Sequence, residues 1–76
     1  MNVTLLAFAR YRELLGFSRA ELILPGPTLL GELLEKSEFA MLPPEALLAV
    51  NQKFVDREEP LKDCDEVALM PPVSGG

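Results

Sequence analysis

The residues best suited to chemistry in this 76-residue chain are its last six, Pro71, Pro72, Val73, Ser74, Gly75 and Gly76. They follow an apolar run, Val67-Ala68-Leu69-Met70, that reads as the final strand of a folded domain. Two prolines remove backbone donors and favour an extended path, so neither a helix nor a central strand continues past Met70. Gly75 and Gly76 then carry no side chain, and ordering them costs entropy. A narrow channel in another protein gives that cost a use, because only a side-chain-free backbone ending in a reactive carboxylate could pass through it. Six extended residues reach on the order of 20 Å, at about 3.3 Å each. The plain alternative is a frayed terminus without a role.

Other chemistry is poorly provided for. There is no histidine and only one cysteine, so zinc and iron–sulfur sites lack ligands and no metal site is expected. No G-x-x-x-x-G-K-[ST] or G-x-G-x-x-G loop offers a nucleotide cradle. Asp63 and Asp65 fall in a short turn, where solvent would leave their acidity ordinary and unsuited to general acid catalysis. Between them, the Cys64 thiolate is disfavoured by like charge and makes a poor nucleophile. A self-contained hydrolase is not expected.

Composition bounds the rest. A chain this short forms one small domain, burying about 60% of its unfolded surface. Hydrophobic residues are 49% and charged residues 25% of the chain, which suits a globular protein and argues against intrinsic disorder. Net charge is −5 and the seven basic residues are scattered, so nucleic acid is not an expected partner, whereas a basic protein surface is a reasonable one. A lone cysteine rules out an intrachain disulfide and fits a reducing, cytoplasmic setting. No apolar run is long enough to span a membrane, and no signal-peptide pattern opens the chain.

The elements that must position the tail can be read in order. Residues 2–9 (NVTLLAFA) form a first strand, and residues 10–15 a short helical turn stopped by Gly16. Residues 19–24 (RAELIL) alternate as a second strand ended by Pro25-Gly26-Pro27. Thr28 is the expected N-cap of the main helix, whose stripe is Leu29, Leu30, Leu33 and Leu34, with Glu32 near its positive end. Gly31 within it implies close packing against the sheet or a tolerated defect of about 1 kcal/mol. Residues 47–50, a turn at Asn51-Gln52 and residues 53–55 make a hairpin. A turn at residues 62–65 precedes the last strand, residues 66–70.

Several short strands and one amphipathic helix must share a core, so the expected class is α+β, a mixed sheet with one main helix packed across it. The β-grasp arrangement satisfies this, with the first two strands as a hairpin and the first and last strands adjacent. Residues 1–76 are expected to form that single domain, with 71–76 an extended, flexible C-terminal tail.

Residues 5–15 (LLAFARYRELL), 48–55 (LAVNQKFV), Pro60-Leu61, 63–68 (DCDEVA) and the closing PPVSGG together resemble one family: the small, ubiquitin-like sulfur-carrier subunit of molybdopterin synthase, the MoaD family. The resemblance spans nearly the whole chain. It implies a β-grasp fold and a terminal glycine, Gly76, that is adenylated and then converted to a thiocarboxylate. ATP is consumed by the activating enzyme, and no cofactor is tightly bound. The partners implied are the large synthase subunit, an E1-like adenylyltransferase, and a sulfurtransferase or persulfide donor. Two sulfurs would pass to cyclic pyranopterin monophosphate within a heterotetramer, the chain being a sulfur-donating subunit and no catalyst alone. Gly75, Ser74, Val73, Pro72 and Pro71 would form the inserted segment, while Phe8, Leu69 and Met70, with Arg10 and Arg12, would meet the partner. Cys64 stands where the family usually has glycine, which bears on the geometry of that turn. Other readings are a related carrier for tRNA or thiamin thiolation or for protein conjugation, and a noncatalytic β-grasp binding module that ignores its terminus.

Overall fold

A computed structural model describes residues 1–36, 39 and 41–72. Five strands form one sheet: β1 (Asn2–Ala7), β2 (Arg19–Ile23), β3 (Leu47–Val50), β4 (Lys53–Val55) and β5 (Asp65–Met70), in the spatial order β2-β1-β5-β3-β4. β1 pairs antiparallel with β2 and parallel with β5, and β3 pairs antiparallel with both β5 and β4. Two short helices, α1 (Arg10–Leu15) and α2 (Leu30–Leu34), complete the β-grasp fold. The expected class and the adjacency of first and last strands are both observed.

Alternation divides the sheet. Val3, Leu5 and Ala7 of β1, Val67 and Leu69 of β5, and Leu48 and Val50 of β3 are buried on one side. Against them pack Tyr11 of α1, Leu30, Leu33 and Leu34 of α2, and Leu24, Phe39, Leu42 and Leu61 from the connections. Phe17 meets Phe39 edge to face, with ring centroids 6.4 Å apart.

The main helix departs from expectation at its start. Thr28 does not cap it; its Oγ1 donates to Gly26 O at 2.9 Å, and Leu29 takes the N-cap position. The first-turn N–H groups of Leu30 and Gly31 donate instead to the carbonyls of Glu59 and Arg57, at 2.8 and 2.7 Å. Glu32 reaches back to accept the Leu29 N–H at 2.8 Å. A distant loop therefore satisfies the donors that a threonine side chain was expected to satisfy. Gly31 is explained by the same loop: a Cβ there would stand 3.0 Å from Arg57 O. Its close packing is against the Arg57 loop rather than the sheet. Leu29 is exposed and leaves the stripe.

α1 ends at Gly16 in the left-handed region (φ 85), as its sequence requires. Asn51 and Gln52 both adopt positive φ, 51 and 71, the pairing that joins β3 to β4 through a two-residue turn. No helix among the described residues is long and apolar enough to cross a membrane.

Candidate functional site

The site is built around the end of β5. Because β1 and β5 run parallel, with Ala7 opposite Leu69, the C-terminal ends of both strands lie at the same end of the sheet. The Phe8 N–H donates to Leu69 O at 3.1 Å and fixes residue 8 beside the point where Pro71 and Pro72 leave the sheet. α1 starts two residues later, so Arg10 and Arg12, both exposed, stand at that end too. The Arg10 guanidinium lies 5.7 Å from the centre of the Tyr11 ring.

On the face away from the helices, Leu6, Phe8, Ala49, Phe54, Ala68 and Met70 surround a shallow depression of 340 Å³, bordered by Gln52 and Glu66. Phe8 is 44% and Phe54 74% exposed. An uncovered apolar surface beside the root of a tail is the kind of feature that marks a protein contact. Ala9, which turns the chain from Phe8 into α1, holds φ 52 and ψ −133, a region costly for any residue with a Cβ.

The structure sorts the residues expected from sequence. Phe8 and Met70 lie on the open face, and Pro71 and Pro72 are half-buried outside regular structure. Val73, Ser74, Gly75 and Gly76 lie outside the described residues. Leu69 requires correction: it is 0% exposed, on the core side of the sheet, and offers a partner no surface. Met70 and Leu69 are adjacent in a strand, so only one of them can face outward. Leu6, Phe54 and Ala68 were not anticipated. Strand parity carries the signal for Leu6 and Ala68, since Leu6 and Phe8 share a side with the polar Asn2 and Thr4, and Ala68 and Met70 with the charged Glu66. Phe54 needs the hairpin register that sets it opposite Ala49.

The turn before β5 is more ordered than an exposed acidic loop. Asp65 is buried, where exposure was expected; its carboxylate accepts from Asn51 Nδ2 at 2.9 Å and from the Lys62 N–H at 2.7 Å. Asn51 closes the clasp by accepting the Glu66 N–H at 3.0 Å, tying the β3–β4 turn to the start of β5. Asp63 accepts the Asn2 N–H at 2.6 Å, and this bond, aided by the Cys64 thiol, holds its carboxyl below the ordinary carboxylate value. Ordinary acidity was expected there. The Asp63 charge, the hydrogen bond to it and the weaker influence of Asp65 push the Cys64 thiol up, in agreement with its reading as a poor nucleophile. Cys64 itself sits at φ 69, so the turn keeps a glycine-type conformation without glycine. No group of three His, Cys, Asp or Glu residues among the described residues is placed to hold a metal ion.

Fold and site together define a ubiquitin-like protein that presents an apolar sheet face beside the end of its last strand. The ThiS family model matches residues 5–76, and the chain belongs to that family. It is 36% identical to the molybdopterin synthase sulfur carrier subunit of Escherichia coli (strain K12), over 97% of this chain and 99% of that one. It is also 36% identical to the corresponding subunit of Drosophila yakuba, over 100% and 92%. Among solved structures, a Pyrococcus furiosus protein assigned as subunit 1 of a molybdopterin converting factor superposes with a TM-score of 0.81 at 30% identity, covering 96% of this chain and 99% of that chain. A Helicobacter pylori complex of subunits 1 and 2 of molybdopterin-converting factor gives a TM-score of 0.69 at 27% identity, with 100% of both chains covered. The chain is thus a sulfur carrier of the molybdopterin synthase type, a donor subunit rather than a catalyst by itself.

Proposed function

We propose that this chain carries sulfur on the carboxyl group of Gly76 and delivers it within a molybdopterin synthase to cyclic pyranopterin monophosphate. The observation that carries the reading is the placement of the tail root. β5 ends at Met70 on an open apolar face, and Pro71 and Pro72 lead away from it. The family match extending to residue 76 supports a role for the terminal glycines.

A carboxylate is a poor acylating species. An E1-like adenylyltransferase would use ATP to convert it to an acyl-adenylate. The terminal sulfur of a sulfurtransferase or other persulfide donor would displace AMP, and a thiol would cleave the resulting acyl disulfide to free the thiocarboxylate and leave the donor as a disulfide. The thiocarboxylate then offers a soft nucleophile, and one donation per carrier means that the two sulfurs of the dithiolene need two charged carriers. Gly75 permits close passage of the backbone, while Pro71 and Pro72 restrict the free tail and lower the entropy lost on insertion. The open face formed by Phe8, Phe54, Ala68 and Met70 supplies docking area for the large subunit. Arg10 and Arg12, at the same end, are placed to pair with carboxylates there. Acid and base work falls to the partners, and a lone cysteine supports a reducing, cytoplasmic setting.

Intact-mass measurement after incubation with ATP, the activating enzyme and a sulfur donor tests the first half of this reading. Oxygen at Gly76 should be replaced by sulfur, and deletion of Gly76 should abolish the change while leaving the fold intact. Charged carrier that gives no dithiolene with the large subunit and cyclic pyranopterin monophosphate, but sulfurates tRNA or a thiamin precursor, would reassign the acceptor.

A further inference from the structure

The two edges of the sheet differ. β4 is three residues long and carries Lys53, two features that discourage pairing. β2 is five residues long, contains no proline, and has no strand on its outer side among the described residues. Its hydrogen-bonding parity is fixed by β1. The Ala7 N–H donates to Ser18 O, and Met1 and Leu24 exchange both backbone bonds, so residues 18, 20, 22 and 24 turn their polar groups inward. The N–H and C=O groups of Arg19, Glu21 and Ile23 therefore point away from the sheet. The side chains of these same residues lie on the open face and are exposed. Ile23, 83% exposed, is an isolated apolar side chain at the end of that row.

We propose that this edge pairs antiparallel with the same edge of a second copy, in the register that sets Arg19 opposite Glu21 twice about a twofold axis through Ala20. Only registers with an even residue sum bring outward-facing backbone groups together. Among them, centring on Glu21 sets two carboxylates face to face, and centring on Leu22 leaves Arg19 opposite Pro25, which has no N–H to donate. Centring on Ala20 gives two opposite-charge pairs. A second copy is the occupant that the charge pattern fits, because one short row supplies both members of each pair. The product is a continuous ten-stranded sheet with both open faces on one side and both tail roots free. The inference stands apart from the sulfur-carrier reading, since sulfur loading of Gly76 is expected to persist in the dimer.

Sedimentation equilibrium of the full chain, from micromolar to millimolar concentration, tests it with charge reversals on exposed positions. Arg19→Glu alone and Glu21→Arg alone should each weaken self-association by about tenfold or more, by setting like charges opposite each other. The double reversal should restore the wild-type affinity, and an equal mixture of the two single variants should form heterodimers. A wild-type chain that stays monomeric throughout, or single reversals without effect, overturns the proposal. Independently, Ala20→Cys in a Cys64→Ser chain should give a disulfide-linked dimer on mild oxidation, because Ala20 meets its own copy at a close, non-hydrogen-bonded position. Association without that cross-link would locate the contact elsewhere and overturn the register.

Discussion

Leu69 and Met70 are neighbours in one strand with opposite fates. Leu69 points into a side of the sheet sealed by two helices and four connecting residues, while Met70 points to a side that no helix covers among the described residues. The covered side is nearly closed: its core residues are buried and the first α2 donors are satisfied by loop carbonyls, with the buried Tyr11 hydroxyl left without a partner among the described residues. The open side retains Phe8 and Phe54 in solvent. In so small a domain, apolar surface left uncovered is stabilisation forgone in the free chain and made available to a partner.

The largest test of this contrast is Leu69→Ala against Met70→Ala. The first should cost about 2–5 kcal/mol through the cavity it leaves, read as a lower urea midpoint. The second should cost under about 1 kcal/mol in the same assay and instead weaken binding to the large synthase subunit. Equal losses of stability would erase the distinction between the faces.

Gly31→Ala probes how tightly the covered side is closed. Alanine gains about 1 kcal/mol of helix propensity, but its Cβ would press on Arg57 O, which is already tied to the Gly31 N–H at 2.7 Å. Overpacking of about 1–3 kcal/mol should outweigh the gain, giving a less stable protein in thermal melts. At the rim between the faces, Cys64→Gly should stabilise the fold by about 1 kcal/mol by relieving a left-handed backbone at φ 69, and sulfur loading of Gly76 should be unchanged.

The smallest effect is electrostatic. Asp63→Asn removes the charge that raises the Cys64 thiol, so alkylation by iodoacetamide at neutral pH should speed up. The linkage signs are opposite for the two groups. The lowered pKa of Asp63 gives a contribution present above the ordinary carboxylate value and lost as pH falls through its folded value. The raised Cys64 value favours the folded chain below the ordinary thiol value, and that preference is lost as pH rises through the folded one. Chemical denaturation across pH should show both trends as slight slopes in wild type, with the acid one absent from Asp63→Asn.

Much of this was legible in the residues. Gly16 had to stop α1, Asn51 had to sit in a left-handed turn, and alternation in residues 19–24 had to make a strand, because each depends on local sterics alone. The outward side of Met70 is also readable, from its parity with Glu66, and the same parity turns Leu69 inward. Thr28 misled because a good capping side chain is a local signal, whereas the donors it was to satisfy went to Glu59 and Arg57, far along the chain. Asp65 misled for the same reason. A carboxylate in a polar run reads as solvated until Asn51, from another hairpin, closes over it.

The amino-acid order by itself determined where strands, turns and breaks fall and that Pro71 and Pro72 stop the last strand after Met70, since these follow from backbone sterics and side-chain period. Only the tertiary structure decided that Phe8, Phe54, Ala68 and Met70 share one surface beside Pro71 and Pro72, and that the β2 edge has no neighbour among the described residues. Both depend on strand order and register, which are set by how distant segments close one core together.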